Sequence, residues 1–285
     1  MMQRLPPSQP SLSRAFTMIE IAISLAIIGF ALVAIIGILP AGMSAQKENR
    51  QETIINQDAT IWIDAIRSGA RGDDDLVNYV MAITNYSSIL RLDKTPMGNP
   101  RAYWYTRTAS GVDAAASSPG FSINSGYRII GLLSTPKMLP AYSSGRLAGF
   151  TSNFVLAYVR SMSGPSSEKV PQTNSIVQDL GLSYRMIAEV TAAPYDTNWV
   201  NAAMYPTNSP QYTNAIYYSN VVMNLQTNLH DLRLIFRWPV LPNGEARPGW
   251  QVYRTMVSGP ITNEPGPGLG YYFFQPRTYF QVKAP

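Results

Sequence analysis

The chain has 285 residues, 46% of them apolar, enough for one sizeable domain with an appended segment or for two small domains. Cysteine is absent, which excludes disulfide bonds, thiol catalysis and thiolate metal sites. Charged residues make up only 14%, and the net charge of +5 includes no run of Lys and Arg, so nucleic acid is not an expected partner. This composition is typical of an envelope or extracellular protein.

The N-terminal region predicts a single membrane anchor. Residues 1–15 are polar, contain three prolines and carry two cations, Arg4 and Arg14, without an acid. Residues 21–39 then form an apolar run with nothing more polar than Ser24, which at about 1.5 Å per residue spans the roughly 30 Å hydrocarbon layer. Because cationic flanks stay in the cytoplasm, we expect a single pass through the inner membrane with everything after residue 45 facing the periplasm or the cell exterior.

A secretory signal peptide is the competing interpretation of this region. It has the same basic start and apolar middle, but its apolar part is normally about 7–15 residues long. Here the run is longer and no Ala-x-Ala site ends it. Length therefore favours a retained anchor.

Glu20 distinguishes this segment from an ordinary anchor. It lies immediately before the apolar run, and a carboxylate inside a membrane-spanning helix costs on the order of 2.5–3.5 kcal/mol at the helix centre. Such a residue is a functional candidate. The string from Arg14 to Glu20, RAFTMIE, resembles the cleavage and methylation motif of type IV prepilins and type II secretion pseudopilins.

The resemblance implies a processing site and a set of partners. A prepilin peptidase would cut between Ala15 and Phe16 and methylate the new amino group of Phe16. Glu20 would pair with the terminal amine of a neighbouring pilin-like subunit and set the register, and a secretion or pilus assembly platform would build the filament. The sequence departs from the motif at Ala15, where the family usually has glycine. A plain signal anchor, with Glu20 at the headgroup boundary, is the alternative.

Beyond the membrane the helix is predicted to continue, so that it runs from about residue 17 to residue 68. Apolar and acidic residues alternate there with the period of an amphipathic helix. The apolar positions are Ile54, Ile55, Trp62 and Ile66, and the acidic positions before and between them are Glu48, Glu52, Asp58 and Asp64. We expect bends at Gly29, Gly37, Pro40 and Gly42.

The exported part is predicted to be β-rich, which gives an α+β, pilin-like fold with a long N-terminal helix packed on an antiparallel sheet. The predicted strands are 127–133, 154–160, 182–190, 231–240, 250–257 and 271–282. The segments 109–126, 161–178 and 191–214 are predicted to be long loops. The predicted organisation is a leader at 1–15, a transmembrane half-helix at 16–45, an amphipathic half-helix at 46–70 and an exported domain at 71–285.

The run 231–240 has two distinct faces and begins a predicted hairpin. Alternation predicts that one face covers the helix and the other carries Arg233 and Arg237. The first face consists of Leu232, Leu234, Phe236 and Trp238. The runs LHDLRLIFRWPVLPNG and GWQVYRTMVSG resemble pilin-like proteins of multi-gene cassettes in Verrucomicrobia and their relatives, which implies several pilin-like partners.

Few residues predict chemistry, so we do not expect an enzyme. His230 is the only histidine and is predicted to be an ordinary residue at the start of a strand. The acidic cluster Asp73, Asp74 and Asp75 is a candidate calcium site, although a solvated loop or the cap of a helix over 76–83 explains it more simply. The run 103–105, Tyr-Trp-Tyr, is predicted to be a strand that contributes to the core.

These features favour a structural, minor pilin-like subunit of a type II secretion pseudopilus or a type IV pilus-like filament. Two other classes stay open. One is a membrane-anchored adhesin or ligand-binding module that uses the exported loops. The other is an envelope hydrolase on a signal anchor.

Overall fold

The computed structural model describes residues 16–69, 74–106, 110–112, 123–143, 146–164, 181–195, 204–241, 243–266 and 268–281. The chain divides into two compact units, Met1–Glu52 and Thr53–Pro285. The described part of the first unit is the start of a long helix, and the second unit combines helices with an antiparallel sheet. The predicted α+β class is confirmed at this level.

Helix α1 covers Met18–Ser68, which confirms the predicted helix over 17–68. Its N-terminal part is long and apolar enough to cross a membrane, judged by length and composition, and none of its most apolar window is buried. The predicted bends do not interrupt the helix, because the helical assignment continues through Gly29, Gly37, Pro40 and Gly42. A proline within a helix removes one hydrogen bond, which neighbouring turns can tolerate.

The C-terminal part of α1 belongs to the hydrophobic core of the second unit. Ile55, Ala59, Trp62 and Ile66 are fully buried there. The helix is followed by Gly69 at φ +70°, a left-handed conformation that glycine adopts without strain. A Cβ at this position would lie 2.4 Å from the carbonyl oxygen of Phe274, so only glycine fits between the helix end and the backbone at Phe274.

The sheet of the second unit has eight described strands, all in antiparallel pairs. They are β1 Val80–Leu90, β2 Arg101–Thr106, β3 Ser110–Val112, β4 Met138–Ser143, β5 Arg146–Arg160, β6 Ser183–Ala192, β7 Leu229–Val240 and β8 Ala246–Ser258. Their order is β3-β2-β1-β5-β6-β7-β8, and β4 pairs with the first half of β5. A separate hairpin joins β9 Ile261–Glu264 to β10 Tyr271–Phe274.

The predicted two-faced character of β7 is confirmed. Leu232, Leu234 and Phe236 are fully buried, and Trp238 is nearly so, whereas Arg233 and Arg237 are exposed. The buried face shares one hydrophobic cluster with Trp62 and the other buried residues of α1. The predicted hairpin between the fourth and fifth runs is also confirmed, because β7 pairs with β8 along its length.

The predicted strand over 127–133 is wrong, because these residues form helix α2, Gly126–Leu133. The Ser125 side chain caps the helix by accepting a hydrogen bond from the backbone N–H of Arg128. Gly131 brings α2 close to β10, since a Cβ there would lie 2.7 Å from the Phe273 ring. An apolar run of this length is too short for its pattern to separate a helix from a strand.

Two further boundaries differ from prediction. The alternative helix over 76–83 is wrong, because a short 3₁₀ helix at Asp74–Asn78 leads directly into β1. The last predicted strand, 271–282, is much shorter as β10, while its end at 282 lies outside the described residues. Pro276 limits this strand, because proline has no N–H to donate to a ladder.

Helix α3, Pro210–Asn228, is absent from the prediction, which placed a loop over 191–214. The helix contains no charged residue, and only Ala215 and Asn228 are buried, so it lacks the apolar stripe that marks most helices. The residues at its start do predict the beginning of a helix. Ser209 caps the helix through the N–H of Tyr212, and Pro210 occupies the first turn.

Candidate functional site

The first turn of α1 contains a reciprocal cap. The Thr17 hydroxyl accepts a hydrogen bond from the backbone N–H of Glu20 at 3.3 Å. The Glu20 carboxylate in turn accepts from the backbone N–H of Thr17, also at 3.3 Å. Together these contacts form a capping box, which satisfies two of the helix N–H groups that lack an intrahelical partner. The Thr-x-x-Glu spacing is a sequence signature of this cap, although the resemblance to prepilins gave Glu20 only a role between subunits.

Glu20 therefore has a structural task within its own chain. Phe16, one residue ahead of the cap, exposes 79% of its surface, and Glu20 is exposed as well. Ala15, the other half of the predicted scissile bond, lies outside the described residues. The Ser24 hydroxyl donates to the carbonyl oxygen of Glu20 at 2.7 Å, so its polar group stays satisfied inside the helix.

The apolar side chains that follow Glu20 have no partner in the described monomer. Ile21, Ile23, Leu25 and Phe30 expose between 48% and 80% of their surface. Exposed apolar surface on this scale marks contact with a membrane or with other protein surfaces. The N-terminal part of α1 is thus compatible with a membrane span or with packing against other protein surfaces.

A buried polar cluster joins α1 to the sheet within the second unit. Asp58 is fully buried, although its charge predicted the solvent-facing side of the helix. Its two carboxylate oxygens accept the backbone N–H groups of Met162 and Ser163 at 2.9 Å each. The Tyr184 hydroxyl donates to Asp58 and accepts the indole N–H of Trp62 at 2.8 Å. These hydrogen bonds compensate for the burial of the carboxylate.

Burial raises the pKa of Asp58 above its ordinary value of 3.8, and its hydrogen bonds from Ser163, Met162 and Tyr184 oppose that shift in part. Burial also raises the pKa of Tyr184 well above 10, so the tyrosine stays neutral. The folded state therefore holds the Asp58 proton more tightly than the unfolded state does. Its contribution to stability is complete below pH 3.8 and is lost as the pH rises through the folded-state pKa.

We expect Asp58→Asn to remove this pH dependence. The free energy of unfolding of the wild type relative to the Asn variant should rise as the pH falls from neutral toward 3.8. Urea unfolding of the full chain in detergent micelles, followed by far-UV circular dichroism at several pH values, measures it. A difference that is constant with pH would contradict the raised pKa.

The acidic cluster is only partly described. Asp74 and Asp75 are exposed at the start of the 3₁₀ helix, and Asp73 lies outside the described residues. Among the described residues, no three His, Asp or Glu side chains lie close enough together to hold a metal ion. The geometry therefore adds nothing to the calcium hypothesis.

His230 lies in β7, as predicted, and lines a cavity of about 800 Å³. Burial lowers its pKa, and a hydrogen bond with the backbone of Gly259 opposes that shift in part. Its ring contacts Phe274 edge to face, with the ring centroids 5.5 Å apart. The walls come from β4, β6, β9 and β10 and are largely apolar, and no acid lines them among the described residues.

Comparisons with protein-family models, with curated proteins and with solved structures found no match for this chain. Among the described elements, helix α1 combines a capped charged start, an exposed apolar run and a buried C-terminal end.

Proposed function

We propose that the chain is a structural pilin-like subunit, processed by prepilin peptidase and assembled into a type II secretion pseudopilus or a type IV pilus-like filament. One observation carries the proposal. A single helix begins with an apolar segment that is exposed throughout and ends with turns that form part of a globular core.

The physical reasoning starts from the exposed segment. Lipid stabilises it in the precursor, since the apolar side chains then face hydrocarbon. A bundle of the same helices from neighbouring subunits stabilises it equally well, because the side chains then pack against one another. A helix of this kind can therefore move from the membrane into a filament without exposing its apolar surface to water.

The second unit is the exported part in this proposal. The arginines of the leader remain in the cytoplasm, which leaves the sheet in the periplasm or on the outside of the filament. The buried cluster of Asp58, Tyr184 and Trp62 then holds the exported sheet to the helix. The proposed partners are prepilin peptidase, other pilin-like subunits and the assembly platform.

Processing is the first prediction of this proposal. We expect the mature protein from its native envelope to begin at N-methylated Phe16 and to lack residues 1–15. Cells without prepilin peptidase should contain only the full-length precursor. Intact-mass measurement and sequencing of the N-terminal peptide distinguish the two forms.

The residue before the cut gives a matched pair of variants. Ala15→Gly should be processed as well as the wild type, because both side chains are small. Ala15→Leu should accumulate as precursor, because a bulky side chain beside the scissile bond obstructs the peptidase. Cleavage after the apolar run, or an uncut chain in normal cells, would refute the proposal and leave an anchored or secreted β-domain.

A further inference from the structure

The sheet has an outer face, opposite the face that packs on α1, and one row of side chains crosses it. Tyr158 of β5 pairs with Arg185 of β6, Arg185 pairs with Arg237 of β7, and Arg237 pairs with Trp250 of β8. Directly paired residues of antiparallel strands project from the same face. With strands about 4.8 Å apart, this arginine row, Tyr158–Arg185–Arg237–Trp250, extends over about 14 Å.

The two arginines in the middle of the row have no acidic partner among the described residues. The two neighbouring arginines do have acidic partners. Arg254 binds Asp231 through contacts of 2.8 Å and 2.9 Å, and Arg233 lies 3.8 Å from Glu189. The Nε of Arg185 is buried without a hydrogen-bond acceptor.

This arrangement is unfavourable for the isolated fold. Like charges directly opposite each other destabilise a sheet, and a buried donor without an acceptor costs roughly 1–3 kcal/mol. An anionic ligand would offset the repulsion between the two guanidinium groups. The guanidinium groups of Arg185 and Arg237 offer two adjacent forks of N–H donors, a geometry that matches carboxylates.

One aromatic residue lies beside each arginine, at the two ends of the row. Trp250 exposes 57% of its surface at one end of the row, and Tyr158 is half-buried at the other. The same face carries further partly exposed rings on β1, β2 and β5, namely Tyr86, Trp104 and Phe154. Exposed aromatic rings on a sheet face form a flat apolar platform.

We propose that the arginine row binds a linear acidic polysaccharide, with its carboxylates on Arg185 and Arg237 and its sugar rings stacked on Tyr158 and Trp250. Sugar rings combine an apolar face with charged groups at the ring edge, which matches alternating aromatic and cationic side chains. An acidic peptide offers carboxylates without such flat rings. A nucleic acid strand usually lies in a groove with many free cations, whereas two of the cations nearest the row are already paired.

The test uses the full chain in detergent micelles and oligomers of polygalacturonate, with affinity measured by calorimetry at low salt. We expect Arg185→Gln and Arg237→Gln each to weaken binding by about tenfold or more, because each removes a charge-assisted hydrogen bond. Trp250→Leu should weaken it by about fivefold through lost stacking. The matched control Arg91→Gln removes an exposed cation from the turn after β1, and its effect should stay within about twofold.

Three further probes separate the polysaccharide from other anions. Fully methyl-esterified polygalacturonate keeps the rings without the charge, and poly-L-glutamate keeps the charge without the rings, so both should bind at least about tenfold more weakly. Equal or tighter binding of poly-L-glutamate or of an oligothymidylate would overturn the choice of ligand. If an arginine variant does not fold by circular dichroism, Trp250→Leu and Arg237→Lys decide the site. Absence of polygalacturonate binding, or binding that the substitutions leave unchanged, would overturn the proposal.

Discussion

Trp62→Ala is expected to destabilise the second unit by about 3–5 kcal/mol. The side chain is fully buried and belongs to the cluster that α1 shares with the sheet, so truncation leaves a large cavity. It also removes the indole N–H that the Tyr184 hydroxyl accepts at 2.8 Å. Urea unfolding of the full chain in detergent micelles, followed by far-UV circular dichroism, gives the change in the free energy of unfolding.

Two control variants accompany this one. The first separates the packing contribution from the hydrogen bond, and the second compares a buried tryptophan with an exposed one. Trp62→Phe keeps most of the ring but lacks the donor, so we expect a loss of about 1–3 kcal/mol. Trp104→Ala removes a tryptophan that exposes 40% of its surface on β2, and should cost less than Trp62→Phe. Equal effects of Trp62→Ala and Trp104→Ala would contradict the assignment of the C-terminal part of α1 to the core.

The long helix and the central strands are predictable from sequence because each has its own local period. Leu232, Leu234 and Phe236 alternate with Arg233 and Arg237, and that alternation alone places the arginines on the outer face. The segment that forms α2 is only eight residues long, so its apolar residues are compatible with a helix or with a strand. Helix α3 is missed for another reason, since it buries too little to carry an apolar stripe.

Local sequence patterns cannot predict contacts between distant segments of the chain. Asp58 has the spacing of the buried face of α1 but the charge of a surface residue, and only the fold brings the N–H groups of Met162 and Ser163 to it. Likewise Arg185 and Arg237 become neighbours through the pairing of β6 with β7. The capping box is different, because Thr17 and Glu20 are close in sequence and their spacing does predict the contact.

The cap gives Glu20 two roles to separate, because a variant that fails to assemble has lost either its charge or its helix start. Glutamine at this position still completes a capping box but is neutral. We therefore expect Glu20→Gln to leave the helix intact and to be processed normally, yet to enter filaments more than about tenfold less often. Loss of one partner of a desolvated charge pair costs about 2–5 kcal/mol, and 1.4 kcal/mol already corresponds to a factor of ten.

Thr17→Ala supplies the opposite control, since it removes the hydroxyl of the cap and keeps the carboxylate. Loss of a capping side chain costs about 0.5–2 kcal/mol locally, so this variant should assemble at close to the wild-type level. Counting wild-type and variant subunits in sheared filaments by quantitative mass spectrometry, in cells that express both, measures the difference. If Glu20→Gln assembles as well as the wild type, Glu20 serves only as a helix cap and the proposed pairing with the Phe16 amine of a neighbouring subunit is wrong. If Thr17→Ala fails and Glu20→Gln succeeds, the cap itself is what assembly requires.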